Sequence, residues 1–259
     1  MRVSISYPPL PSPYGVPLLS QNRQFQWFVN PTYIYPVVPA STLLKGAGHA
    51  VFWNDGIAEE KTYEQWKAEV EAERPDLILI ETKTPVIKRH WKIIDDLKKE
   101  VDVRVALAGD HVTALPLESF ENSSVDYVLT GGDYDFLLLN LANFIDRELT
   151  KWWLYAYKNG DFKYRPGTYT MVGRDCWWRR NGGCTFCSWT TLYGNYRVRR
   201  PELLADEIED VVKRYGVREV FDDTGTFPVG KWLTDFCHEV IERGLNERVR
   251  LGCNMRFGA

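Results

Sequence analysis

The chain has little that would direct it to a membrane, to nucleic acid or into a disulfide framework. No apolar run approaches the roughly 18–20 residues that a membrane span needs. The formal net charge is −3 over 259 residues, so bulk electrostatics recommend neither nucleic acid nor an anionic lipid surface as partner. The opening Met1-Arg-Val-Ser-Ile-Ser-Tyr-Pro-Pro9 lacks the long apolar stretch of a signal peptide and reads as a strand entering a proline turn. A cytoplasmic location is therefore expected. Cysteines number five, an odd count that does not suggest a disulfide framework. Histidines number four, and none lies between His49 and His90. What is present is 44% hydrophobic and 26% charged residues, enough for a buried core, and a length that suits two domains. Tryptophans number ten, and Trp177, Trp178 and Trp189 flank one cysteine-bearing loop, as ordinary packing or as a shield around a cofactor.

Residues 1–147 alternate strand and helix patterns. Strands are expected at 2–7, 50–54, 77–81, 103–108 and 126–130, with helices at 40–47, 63–73, 88–100 and 136–145. In 88–100, Trp91, Ile94 and Leu97 share one face. Such alternation predicts an α/β fold, a flavodoxin-like (Rossmann-type) parallel sheet whose ligands bind at the carboxyl ends of the strands. Those ends carry Pro8-Pro9, Asn54-Asp-Gly56, Thr82-Lys-Thr84, Gly109-Asp-His111 and Gly131-Gly132, which could serve a large flat ligand or simply make turns.

Residues 148–167 read as a β-hairpin connector, because Asn159-Gly160 separates the aromatic-rich runs 152–157 and 162–164. The segment 168–259 repeats strand and helix. A strand over 168–173 is followed by helix 201–215, with Pro201 first and Leu204, Ile208, Val211 and Val212 on one face. Strand 217–222, helix 230–243 (Leu233, Phe236 and Val240 inward, Gly244 as its stop) and strand 249–253 complete it. Repeated β-α units are how a (β/α) barrel places functional residues after its strands. Three such strands leave a barrel open, so little activity is expected of this chain alone.

Between the first strand and helix of this segment, Cys176, Cys184 and Cys187 form a C-x7-C-x2-C run. Three thiolates can hold a [4Fe–4S] cluster through three irons and leave the fourth open. They can equally contribute to a tetrahedral zinc site if Cys237, His238 or Cys253 supplies a fourth ligand. The spacing alone leaves both readings open.

Flanking segments narrow this. Ala108-Gly-Asp-His-Val-Thr-Ala-Leu-Pro116 resembles the G-G-P-H-A-T-x-x-P loop of the cobalamin-binding domain found in B12-dependent radical SAM proteins. Ala108 and Asp110 stand where that family carries glycine and proline. Val125-Asp-Tyr-Val128 with Gly132-Asp-Tyr-Asp135 resembles its V-D-Y-V…G-E-x-E segment. Arg197-Val-Arg-Arg-Pro-Glu202, Val220-Phe-Asp-Asp-Thr224 and Gly252-Cys-Asn-Met-Arg256 resemble the R-x-R-x-P-E, F-x-D-D and C-x-x-R segments of the radical SAM barrel. The long cysteine spacing resembles that of the B12-dependent phosphinate P-methyltransferases.

The resemblance implies a [4Fe–4S] cluster on Cys176, Cys184 and Cys187, and S-adenosylmethionine near Phe186, Asp222, Asp223 and Arg256. It places cobalamin near Asn54, Thr82, Thr84, Gly109, His111, Gly131 and Gly132, in a base-off form without a protein histidine on cobalt. Its implied chemistry is reductive cleavage of S-adenosylmethionine to a 5′-deoxyadenosyl radical, then methyl transfer to an unactivated carbon or phosphorus centre. Cyclisation or rearrangement is the alternative on the same architecture, and a zinc-stabilised B12-binding module is the alternative without catalysis. The implied partners are a small-molecule substrate and an electron donor such as flavodoxin or ferredoxin.

Overall fold

Five short strands pair in parallel: β1 (Arg2–Tyr7), β2 (Ala50–Asp55), β3 (Leu77–Glu81), β4 (Arg104–Ala108) and β5 (Tyr127–Leu129). This computed structural model describes residues 1–10, 39–131, 144–157, 162–174, 176–187 and 196–256. The strand order is β2-β1-β3-β4-β5, the doubly wound flavodoxin-like order, with its switch point between β1 and β3. β1 carries both small polar and apolar residues because it is covered on both faces. Ser4 and Ser6 are buried and bond to each other at 2.8 Å.

The helices follow from local signals. α1 (Pro39–Gly46) precedes β2. α2 (Tyr63–Glu73) begins at a capping box in which Thr62 and Gln65 exchange side-chain-to-backbone bonds. α3 (Ile87–Glu100) buries Ile87, Trp91, Ile94 and Leu97 at helical spacing, each contributing about 1.5–3 kcal/mol of burial. Two one-turn helices, α4 (Asp110–Ala114) and α5 (Glu118–Asn122), lie between β4 and β5. The helix expected over 136–145 falls almost wholly outside the described residues, as do Gly132, Trp189 and the Asn159-Gly160 turn.

The expected hairpin connector is corrected at its first arm: Trp153–Ala156 forms a helical turn, α6. Tyr155 is buried there, donating from its hydroxyl to Asp55 Oδ2 at 2.6 Å and accepting from Trp53 Nε1 at 3.2 Å. Aromatic residues that could have alternated along a strand instead pack on the end of β2, a tertiary contact that local pattern does not encode.

The second sheet joins β6 (Gly167–Thr170), β9 (Glu219–Asp222) and β10 (Arg250–Cys253) in parallel, order β10-β9-β6. α7 (Pro201–Tyr215) and α8 (Lys231–Glu242) are the crossovers, and α9 (Leu245–Arg248) is a turn before β10. The strand expected over 168–173 stops at Thr170. Beyond it Gly173–Arg174 (β7) pairs antiparallel with Arg197–Val198 (β8), so a small ribbon stands where the chain leaves the sheet. One apolar cluster runs from Ile5, Tyr7 and Trp53 of the first sheet through Tyr155 and Tyr169 to Leu204 and Val220 of the second.

Candidate active site

The cysteine loop lies at the carboxyl end of β6, beside the ends of β9 and β10. Cys176 precedes a 3₁₀ turn over Trp177–Asn181, and the turn closes with Gly182 N–H on Arg179 O (2.9 Å) and Gly183 N–H on Trp178 O (3.2 Å). Gly182 and Gly183 have φ of +89° and +72°, a left-handed pair that side chains disfavour. The seven residues between the first and second cysteines are thus taken up as one compact turn. The Cys184–Cys187 stretch is a turn closed by Cys187 N–H on Cys184 O at 3.1 Å.

All three cysteines are half-buried and outside any disulfide. Among the described residues no three His, Cys, Asp or Glu side chains converge on a point that could hold a single metal ion. Cys237, His238 and Cys253 therefore do not complete a zinc site with the loop. A cluster puts a separate iron under each thiolate and needs no such convergence, so three thiols on one loop fit it in donor chemistry.

Loops from all three strands are tied together here. Cys176 forms a parallel bridge with Thr226 after β9. Trp177 Nε1 donates to Phe227 O at 3.2 Å, and Phe227 N–H donates to Asn254 O at 2.8 Å. Arg256, after β10, lays its guanidinium over the Trp178 ring, 3.4 Å from the centroid, a cation–π contact.

No family model matches the chain. It is similar to the anaerobic magnesium-protoporphyrin IX monomethyl ester cyclase of Cereibacter sphaeroides, 40% identical over 75 residues that make up 28% of this chain and 12% of that protein. It is similar to the enzyme of the same name from Rubrivivax gelatinosus, 24% identical over 252 residues, covering 82% of this chain and 45% of the relative. The chain thus spans less than half the length of these curated relatives. In structure it is similar to TsrM from Kitasatospora setae, a radical S-adenosylmethionine methyltransferase solved with tryptophan substrate and a SAM analogue. That match has a TM-score of 0.63 at 14% identity and covers 96% of this chain and 53% of the other. The chain shares the fold of that structural neighbour over nearly its whole length.

On this scaffold the residues expected around S-adenosylmethionine separate into two groups. Phe186 is 89% exposed on the loop, and Arg256 stands over Trp178 of the same loop. Asp223 is half-buried at the end of β9, its N–H on Thr170 O at 2.9 Å. Asp222 stands apart from these. Thr170, Asp222 and Cys253 are in register on the sheet face that lines a cavity of about 170 Å³ with Leu204, Ile208 and Phe236, so this face looks at the helices. Asp222 is buried, and its Oδ2 and Oδ1 accept the N–H groups of Val172 (2.7 Å) and Thr224 (3.0 Å). Burial pushes its carboxyl up to about 7, against the pull of those donors. An alternating strand cannot turn Asp222 and Asp223 to the same side.

The first sheet's rim is largely occupied by its own bonds. Asn54 is buried, with Nδ2 donating to Ser4 Oγ (2.7 Å) and Glu73 Oε2 (2.6 Å). The buried Thr82 hydroxyl bonds His90 Nδ1 at 2.9 Å. Burial, reinforced by the neighbouring Arg89 charge, pushes His90 down to about 3, so it is neutral. Thr84, His111 and Glu118 form a chain, with 3.1 Å at His111 Nδ1 and 3.0 Å at Nε2. Both His111 nitrogens are spent, which suits the hydrogen-bonding role rather than a ligand contact. Gly131 has open space where a side chain would stand. The side chains of Asn54, Thr82 and His111 thus bond within the protein, with Asn54 Oδ1 buried and without a hydrogen-bond partner among the described residues.

Gly109 is held by the fold itself. Its φ is +118°, and a Cβ there would stand 2.3 Å from Thr82 O. Gly109→Ala is expected to destabilise the protein by well over about 1 kcal/mol, read as a fall in urea midpoint at unchanged slope.

Sequence reasoning missed a buried triad under the site. Glu207 of α7 accepts Arg147 Nη2 at 2.7 Å on Oε1 and Arg199 Nη1 at 2.5 Å on Oε2, with all three side chains at 1% exposure or less. Thr170 Oγ1 also donates to Glu207 Oε2 at 3.2 Å, and Arg147 Nη2 to Tyr169 O at 3.0 Å. Arg199 is the second arginine of the Arg-x-Arg-x-Pro-Glu segment. A signal existed in the helix: Glu207 sits on the stripe Leu204, Ile208, Val211, a charge among apolar residues. Arg147 carried no local signal.

Proposed function

We propose that this chain is the cofactor-binding part of a cobalamin-dependent radical SAM enzyme. Residues 1–147 would take the corrinoid, and 168–259 would be the first three β/α units of the barrel. The observation that carries the reading is the position of Cys176, Cys184 and Cys187, on one loop at the carboxyl ends of three parallel strands, in a chain that also carries a 2-1-3-4-5 sheet. When bound, a three-thiolate [4Fe–4S] cluster supplies the electron that cleaves S-adenosylmethionine, and cobalamin supplies a transferable methyl group. The three cysteines would be its ligands as thiolates. Phe186, Asp223 and Arg256 would border S-adenosylmethionine, with Arg256 held by Trp178. Trp177 and Trp178, edge to face at 5.7 Å between ring centroids, would help to keep water from the cluster.

Methyl transfer is the reaction we favour, in line with the name of the structural neighbour. Cyclisation is the second reading, favoured by the names of both curated relatives. A small-molecule substrate and a flavodoxin- or ferredoxin-type electron donor complete the proposal. The test is anaerobic reconstitution of the full-length protein, followed by incubation with reductant and methyl-labelled S-adenosylmethionine. Release of 5′-deoxyadenosine with label passing to cobalamin and substrate is the expected result. Label that stays off the substrate while the substrate gains a ring selects cyclisation. Zinc near one per chain with no iron would sink the radical SAM reading.

A further inference from the structure

Where β6 ends, its chain must leave the sheet and carry Cys176 to a fixed place with only a two-residue ribbon to guide it. Three contacts reach across to it from the exit of β9. Asp222 accepts Val172 N–H at 2.7 Å on one oxygen and Thr224 N–H at 3.0 Å on the other. Thr224 Oγ1 accepts Gly173 N–H at 3.0 Å and donates to Gly173 O at 3.2 Å. Further on, Cys176 and Thr226 form their parallel bridge. Val172, Gly173 and Cys176 are thus tied to residues 222–226 beyond the sheet, through two side chains and then the backbone. Asp222 and Thr224 are 3% and 0% exposed, so water does not substitute for these bonds.

We propose that Asp222 and Thr224 are positioning residues for Cys176, fixing the first thiol of the loop through Val172 and Gly173 rather than touching a ligand themselves. The role as cluster ligand that Cys176 is given rests on the function proposed above; the positioning does not. Asp222→Asn keeps size and shape but replaces one acceptor by a donor, which then faces a backbone N–H. Thr224→Val removes the hydroxyl that holds Gly173, and Thr224→Ser keeps it.

The test alkylates the metal-free chain with iodoacetamide and follows each cysteine by peptide mass spectrometry, with Cys237 on α8 as internal reference. The Cys176-to-Cys237 rate ratio is expected to rise about tenfold in Asp222→Asn and Thr224→Val and to stay at the wild-type value in Thr224→Ser. In reconstituted protein the half-life of iron against a chelator is expected to fall by about the same factor. A Cys176-to-Cys237 ratio within about twofold of wild type in both Asp222→Asn and Thr224→Val overturns the proposal. If Asp222→Asn loses its circular dichroism, the Thr224 pair decides alone, and identical behaviour of Thr224→Val and Thr224→Ser overturns it. A wild-type chain that takes up no iron would instead defeat the cluster reading, while the alkylation ratios still decide the positioning.

Discussion

Alanine at any one of Cys176, Cys184 or Cys187 is expected to abolish retention of the cluster, with iron falling from about four per reconstituted chain to below about one. Each thiolate of a three-cysteine site holds a different iron, so a missing one cannot be shared out between the other two. The loop also offers no replacement among the described residues. Cys237 is on α8 and Cys253 on β10, both lining the helix-side cavity rather than the loop. Cys237→Ala and Cys253→Ala are accordingly expected to keep wild-type iron and sulfide. Iron and acid-labile sulfide analysis, with the charge-transfer absorbance of the reconstituted protein, checks all five variants. Loss of metal in Cys253→Ala together with zinc in the wild type would return the site to a structural zinc reading.

Glu207→Ala is expected to destabilise the fold by about 3–5 kcal/mol, because it strands the guanidinium groups of Arg147 and Arg199 in the interior without their carboxylate. Burial alone would raise the Glu207 carboxyl, but the Arg147 and Arg199 charges outweigh it and hold the group below its ordinary 4.5. A carboxylate with a depressed folded value stabilises the fold above about pH 4.5 and loses that contribution as pH falls through the depressed value. Urea denaturation followed by circular dichroism from pH 7 down to pH 3 should therefore show the wild type converging on Glu207→Ala at the acid end. A wild-type advantage that does not shrink with acid would refute the ionised triad. The effect reaches the site because Arg147 is also bonded to Tyr169 O and Glu207 to Thr170, the last two residues before the chain turns toward Cys176.

Much of the fold was legible because its signals are local. Thr62 with Gln65, Pro201 at a helix start and Gly216 in the left-handed conformation at its end act over one turn, and the helices at 63–73 and 201–215 emerged at their expected bounds. The strand at 77–81 was as clear, since a buried parallel strand is a short apolar run. The aromatic run at 152–157 was misread because its rings satisfy a strand pattern and a helical turn equally. What decided between them was Asp55, about a hundred residues away in sequence, receiving the Tyr155 hydroxyl.

The candidate site divides in the same way. The sequence by itself determined which atoms are available: three thiols on a glycine-bearing loop, an aromatic between the last two, and acidic and basic groups after the next strands. Donor chemistry is a property of residue type and spacing along the chain, so it can be read without a fold. Only the tertiary structure decided which of those groups face the site. Strand alternation and sheet register turned Asp222 toward the helices and made it a tie for Val172 and Thr224, while Arg256 was brought onto Trp178. It also buried Glu207 between two arginines, one of them sixty residues away. Orientation and burial depend on partners from distant segments, and no window of sequence contains both members of such a pair.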